Sequence, residues 1–255
     1  MKLATWNVNS IRARLERVVD WTLKQAPDVL CLQELKCLDE QFPREVFEDL
    51  GYRVATYGQK TYNGVAILSK QNIEDVVRGF PGEDENAQRR AIGAQIGDLL
   101  VLNLYVVNGE SVGSEKYAYK MQWMQRCAEF IRERYDMGEK VVVCGDFNVT
   151  FDDRDVHDPA AWHEKVLCST PERRALAKLM EPGLIDAFRH FHAEGGHYTW
   201  WDFRTRGFQR NDGLRIDHLL MSKPALEACQ DVVIDKAARG GEKPSDHAPV
   251  IAEFA

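Results

Sequence analysis

The spacing of apolar runs and turn residues predicts an α/β fold with mixed or antiparallel sheets. Short runs rich in Val, Ile and Leu recur, at Asp28-Val29-Leu30-Cys31-Leu32, Gly64-Val65-Ala66-Ile67-Leu68, Leu99-Leu100-Val101-Leu102-Asn103-Leu104 and Lys140-Val141-Val142-Val143-Cys144. Each matches a strand buried on both faces. Helical patterns lie between several of them, at Arg12 to Gln25, Ser114 to Tyr135 and Pro171 to Met180; the last has Thr170 as its expected N-cap and Pro171 in the first turn. Hairpin-like stretches around Gly64, Gly93 and Gly97 indicate that many neighbouring strands pair directly, so the sheets are not a pure β-α-β alternation.

A chain of 255 residues with 44% hydrophobic residues can bury a large core, and no low-complexity linker divides it. One domain spanning 1–255 is expected. The six cysteines are scattered without a C-x-x-C pair, which argues against a zinc site or a disulfide framework and for reduced thiols in the cytoplasm. The N-terminus shows no secretory pattern, and no apolar run approaches the roughly 18 residues of a bilayer span. Formal net charge is −7, which speaks against a protein that coats nucleic acid through a basic surface. It is compatible with a nucleic-acid enzyme whose metal site gathers carboxylates while a local basic strip holds phosphates.

Several apolar strands end in acidic or amide residues. Leu3 to Asn7 and Val29 to Glu34 do so early in the chain, Val141 to Asn148 and Leu214 to Asp217 late. Side by side, such ends gather at one rim, a usual place for an active site in layered α/β folds. Asp146 and Asn148 leave their strand two residues apart and can point the same way, with an Asx turn as the plain structural alternative. Ser245-Asp246-His247 places an imidazole beside a carboxylate, and Asp217 is a second acid able to orient it; a solvated surface turn is the alternative. Gln33-Glu34 and Asn7-Val8-Asn9 offer oxygen donors of the kind a hard cation such as Mg²⁺ prefers, although either pair could serve only in turns.

In chain order the segments Trp6-Asn7-Val8-Asn9, Leu32-Gln33-Glu34, Asn63-Gly64-Val65-Ala66, Asn103-Leu104-Tyr105-Val106, Gly145-Asp146-Phe147-Asn148, Gly213-Leu214-Arg215-Ile216-Asp217 and Ser245-Asp246-His247-Ala248-Pro249 follow one another. Together they resemble the exonuclease III branch of the endonuclease/exonuclease/phosphatase superfamily, from residue 3 to residue 254. The resemblance implies a four-layer sandwich of two packed mixed sheets flanked by helices. It also implies a Mg²⁺-dependent phosphodiesterase, with Mn²⁺ able to substitute, that cuts damaged double-stranded DNA 5′ to abasic sites and removes 3′-blocking groups as a monomer. Glu34 would bind the metal with support from Asn7, and Asp246 would lie near it. His247 would touch the scissile phosphate, held by Asp217; Asp146 would activate water; Asn148 and Tyr105 would bond the phosphate or the developing charge.

The stretch Thr199-Trp200-Trp201-Asp202-Phe203, continuing through Arg204, Arg206, Phe208, Arg210 and Arg215, is aromatic and basic. By the same resemblance it walls the pocket for a sugar lacking its base, with Trp200 packing on deoxyribose and Trp201 assigned to the core. Asn108, Arg204 and Arg210 are expected backbone contacts, and Leu214 an aliphatic part of the wall. The loop Asp152-Asp153-Arg154-Asp155-Val156-His157-Asp158 is unusually acidic and is expected to repel a long duplex. That expectation keeps open a specialised 3′-end processor with weak incision at abasic sites. A catalytically silent binding relative would have lost the metal and phosphate positions, all of which are present. A lipid phosphodiesterase on the same fold is disfavoured by the Trp200 to Arg215 stretch.

Overall fold

The computed structural model describes residues 1–255. In chain order the strands are β1 (Lys2–Asn7), β2 (Val29–Gln33), β3 (Arg53–Tyr57), β4 (Val65–Ser69), β5 (Glu74–Arg78), β6 (Ala91–Ile96), β7 (Leu99–Tyr105), β8 (Lys140–Asp146), β9 (Ile185–Asp186), β10 (Asp217–Met221), β11 (Cys229–Ile234) and β12 (Val250–Phe254). They make two six-stranded mixed sheets, ordered β11-β12-β1-β2-β4-β3 and β5-β6-β7-β8-β10-β9. Alternation along each strand assigns its side chains to two faces. Leu3, Val29, Cys31 and Ile67 of the first sheet face Val101, Val142, Cys144 and Leu219 of the second. On the opposite faces, Ala4, Leu30 and Leu32 meet Val18 and Trp21 of helix Leu15–Gln25, while Leu102, Val141 and Val143 meet Trp123, Met124, Cys127 and Ile131 of helix Glu115–Arg134. This is the expected four-layer sandwich. The central strands are covered on both faces, so they read as unbroken apolar runs, each buried Leu or Ile contributing about 1.5–3 kcal/mol.

Three local expectations need correction. The capping residue of helix Thr170–Met180 is Ser169, one residue before Thr170, because Glu172 completes a capping box with it. Gly93 lies inside β6, where the Tyr135 hydroxyl occupies the space a Cβ would need; the hairpin turn is Gly97-Asp98, between the paired Ile96 and Leu99. Leu214 to Ile216 is not a strand, and β10 starts at Asp217.

Strand direction collects the polar ends. β1 and β2 are parallel, with Asn7 beside Gln33, and β7 and β8 are parallel, with Tyr105 beside Asp146. β10 runs antiparallel to β8, so its first residue, Asp217, also pairs with Asp146. β12 runs antiparallel to β1, which brings the preceding loop with Asp246 and His247 to the same rim. Gly145 makes the last step into this rim with φ +134°, and a Cβ there would lie 1.9 Å from the Leu104 carbonyl oxygen.

Candidate active site

At the rim, Asn7 is fully buried, and its side-chain amide donates to Glu34 Oε1 and Asp146 Oδ2, each at 2.9 Å. Its own oxygen accepts from the Asn9 backbone amide. Asn7 therefore orients two carboxylates. Asp146 Oδ1 accepts the backbone amide of Asn148 at 2.9 Å, so the Asx turn is real. It also does more than shape the backbone, because it leaves Asn148 at φ +49° with its side-chain amide donating to Asp146 Oδ2 and the Val106 carbonyl. Asp217 accepts from His247 Nδ1 at 2.9 Å, and Nε2 lies 3.8 Å from Asp146 Oδ2. The ligand atoms of Glu34, Asp146 and His247 all lie within 4.8 Å of one another.

The electrostatics separate these groups. Burial disfavours charge on His247, but Asp217, Asp146 and Asp246 outweigh it and push the pKa up to about 10. The ring is an imidazolium at neutral pH. Burial, with Asp217 adding to it against His247, pushes Asp146 up to about 7. Burial also opposes ionisation of Glu34, yet Lys36 at 2.9 Å, Asn7 and His247 together hold that carboxyl below its ordinary value. Tyr105 is pushed well above the usual phenol range by burial first and then by the Glu34 charge; the Arg90 guanidinium lies 4.5 Å over its ring. Glu34 and Asp146 supply the carboxylate oxygens of this group, while Nδ1 of His247 is held by Asp217. That oxygen set suits a hard divalent cation.

A cavity of about 280 Å³ opens above this floor, lined by Glu34, Tyr105, Asn108, Asp146, Asn148, Trp200, Arg204, Asp246 and His247 among the expected residues. Asn108 donates to Asn148 Oδ1 at 3.0 Å. Asp246 accepts from Trp200 Nε1 at 3.0 Å and from Asn9 at 2.9 Å. Asn9 in turn accepts from Lys36, so a polar chain links Asp246 to Glu34. Trp201 is fully buried and Trp200 faces the cavity.

Other placements differ from expectation. Leu214 is fully buried behind Trp200 with Val156 and Cys168, and does not reach the cavity. Leu167 and Ile216 take the wall instead, with Trp162 and Val166. Arg210 stands off the cavity, engaged by Asp212 and the Thr205 carbonyl. Arg215 alternates away from the wall and is buried between Asp155 and Asp186. Gln33 points into the space between the sheets and bonds Thr5 and Asn103. The acidic loop is largely neutralised: Asp152 pairs with Arg154, Asp153 with Arg173, and buried Asp155 with Arg215 and Arg189. The negative charge this loop presents to a duplex is therefore smaller than its sequence indicates, although exposed Asp158 caps helix Pro159–Trp162 without an ion pair. Lys36 went unnoticed although it stands two residues after Glu34, a spacing that could have marked it; the apolar wall residues carry no such signal.

The endonuclease/exonuclease/phosphatase family profile matches residues 4–247. The exodeoxyribonuclease III of Haemophilus influenzae is 40% identical over 269 residues, covering 100% of both chains. Among solved structures, a 3′ phosphatase from Neisseria, NExo, bound to a product DNA hairpin aligns with a TM-score of 0.96 at 45% identity, over 100% of this chain and 99% of that one. An AP endonuclease from Archaeoglobus fulgidus aligns with a TM-score of 0.96 at 39% identity over the same shares.

Proposed function

Since the chain belongs to the endonuclease/exonuclease/phosphatase family as an exonuclease III-type nuclease, we propose that it is a Mg²⁺-dependent DNA repair enzyme. It hydrolyses the phosphodiester 5′ to abasic sites and removes 3′-blocking groups through one phosphate site. The observation that carries the metal requirement is a charge balance. Glu34 is paired with Lys36 and Asp202 with Arg204. Asp146 and Asp217 share the single imidazolium of His247, and Asp246 is bonded only by the neutral groups of Asn9 and Trp200. With Asp146 ionised, two negative charges stay without a fixed cation in contact, which matches a divalent ion and opposes a phosphate until one binds.

Glu34 and Asp146 would hold the cation, with Asn7 fixing both carboxylates and Asp246 nearby. Mg²⁺, or Mn²⁺ in its place, supplies stabilisation of charge on phosphate and departing oxygens when bound. Asp146 takes a proton from water as the water oxygen bonds to phosphorus; the bond from phosphorus to O3′ breaks, and O3′ takes a proton from solvent. The His247 imidazolium, the Asn148 amide and the Tyr105 hydroxyl donate to phosphate oxygens as charge spreads over them, where one such donor is worth roughly 10²–10³-fold. The Trp200 face packs on a sugar without its base, and Asn108 and Arg204 contact the backbone. The protein acts as a monomer, and a reducing cytoplasm fits its six free, buried cysteines.

A second reading, a 3′-end processor with weak incision, draws support from the 45% identity to the Neisseria 3′ phosphatase and from the bulky wall of Trp162 and Leu167. One assay separates the two: a labelled duplex with a tetrahydrofuran abasic analogue beside a nicked duplex ending in 3′-phosphate, each with Mg²⁺ or EDTA, for wild type and Asp146→Asn. Mg²⁺-dependent cutting 5′ to the analogue, lost in the variant, is expected. Fast phosphate release with little incision selects the second reading, and inactivity on both substrates despite DNA binding refutes both.

A further inference from the structure

One fully buried charge that the chemistry leaves unused is Lys120, on the inner face of helix Glu115–Arg134. Its side chain and that of Glu172 are both fully shielded from solvent, and they form an ion pair. Burial lowers the Lys120 pKa against the opposing pull of Glu172. The ammonium has three protons and three acceptors: Glu172, the Asn148 carbonyl at 2.7 Å and the Asn108 carbonyl at 3.1 Å. Those carbonyls belong to the two cavity residues whose side chains are bonded to each other.

Glu172 extends the connection. Its Oε1 also accepts the Leu167 backbone amide at 3.0 Å, and its Oε2 accepts the Ser169 amide at 3.1 Å and the Ser169 hydroxyl. Leu167 lines the cavity with φ +76°, a backbone conformation that leucine adopts only when its surroundings impose it. One buried pair thus ties together the loop after β7, the loop after β8 and the loop before helix Thr170–Met180, and each of these supplies a cavity-lining residue.

We propose that Lys120 is a positioning residue for phosphodiester hydrolysis, acting through the backbones of Asn108 and Asn148 and, by way of Glu172, through Leu167. This rests on the reading that Asn148 acts at the phosphate. Stability alone does not require a buried ion pair, because apolar or neutral replacement of both partners is often tolerated, whereas removing one strands a charge. A buried pair whose bonds reach three cavity loops therefore points to geometry. A misplacement of about 1 Å in such a loop is enough for roughly 100-fold in turnover.

The test uses the full chain and release of 3′-phosphate from a nicked duplex, with kcat, KM and Tm measured on each variant. Lys120→Met combined with Glu172→Gln removes both charges, and the introduced side-chain amide keeps an oxygen acceptor for one of the two backbone amides that Glu172 holds, that of Leu167 or that of Ser169. The expected result is a moderately lowered Tm, as buried backbone groups lose partners, with KM for DNA within about threefold and kcat lower by roughly 10–100-fold. A structural role alone would return kcat together with Tm, so a folded double variant with kcat within about twofold of wild type overturns the proposal. Should that variant not fold, Lys120→Gln with Glu172→Gln keeps a donor but loses the simultaneous hold on both carbonyls, and the same kcat threshold decides. Asn148→Ala is run beside them: wild-type turnover there overturns the role of Asn148 itself, and lost turnover there with intact turnover in the double variant overturns only the role of Lys120.

Discussion

Asp217 accepts from Nδ1 of His247 through both carboxylate oxygens, at 2.9 and 3.1 Å, and this turns Nε2 toward Asp146. Asp217 can do so because it opens β10 beside the end of β8, with its backbone amide held by Thr199 Oγ1. Asp217→Asn removes the largest influence that keeps the imidazole charged. The expected outcome is a fall in kcat of roughly 10²–10³-fold at neutral pH, with DNA binding retained. The His247 pKa drops from about 10 in the same variant, so its remaining activity declines at a lower pH than in the wild type. NMR titration of the His247 ring gives the direct check, and an unchanged pKa refutes the orientation role.

Asp146 needs the opposite state, since a base must be ionised to accept a proton. With its pKa pushed up to about 7 by burial and Asp217, kcat/KM for 3′-phosphate release rises with pH through that region. A cation beside the carboxylate favours the ionised form, so raising Mg²⁺ shifts this limb to lower pH. Asp146→Asn loses roughly 10²–10⁴-fold and the limb with it. A pH profile that stays flat through this region in the wild type would falsify the assignment.

The floor of the site was legible in the sequence because its residues continue strands whose direction and register place them. Asn7, Glu34, Asp146 and Asp217 sit where an apolar run meets a polar residue, and the pairing of β1 with β2 and of β8 with β10 does the rest. The wall was not legible, because Leu167 and Ile216 are of the same residue type as the core, and Leu214, two residues before Ile216, is core. The acidic loop overstates its own charge for a different reason. The arginines that neutralise Asp153 and Asp155 lie 20 to 60 residues further along the chain, where a count of local charge does not reach.

Adjacent tryptophans should respond in different ways. Trp201 is fully buried among Tyr198, Ala248 and Phe208, so Trp201→Ala costs about 3–5 kcal/mol of stability. Trp200 presents one face to the cavity, covers Leu214 with the other and donates Nε1–H to Asp246, so Trp200→Ala lowers Tm less than Trp201→Ala does and lowers kcat/KM on an abasic duplex by about tenfold, or about 1.4 kcal/mol. Trp200→Phe keeps the aromatic face without the donor and recovers part of that loss. Thermal melts and initial rates on the three variants check the contrast, and equal stability losses at both positions would contradict it.

Acid should destabilise the fold through a buried group that follows Asp217 in β10, on the opposite face of the strand. His218 is held neutral, first by burial and then by the Arg215 guanidinium, with its pKa lowered from 6.5 to about 4. Between those values the unfolded chain binds the proton and the folded chain does not, so stability is full above 6.5 and falls as pH falls through this window. The loss reaches on the order of 3 kcal/mol. Asp155 carries the decline further: burial opposes its ionisation, but Arg215, His218 and Arg189 outweigh it and hold its pKa at about 2 against an ordinary 3.8, so its contribution is lost below that ordinary value. Urea unfolding across acid pH should show this two-stage decline. In His218→Gln the first stage disappears, because no imidazole is left to take up the proton, while the second remains with Asp155.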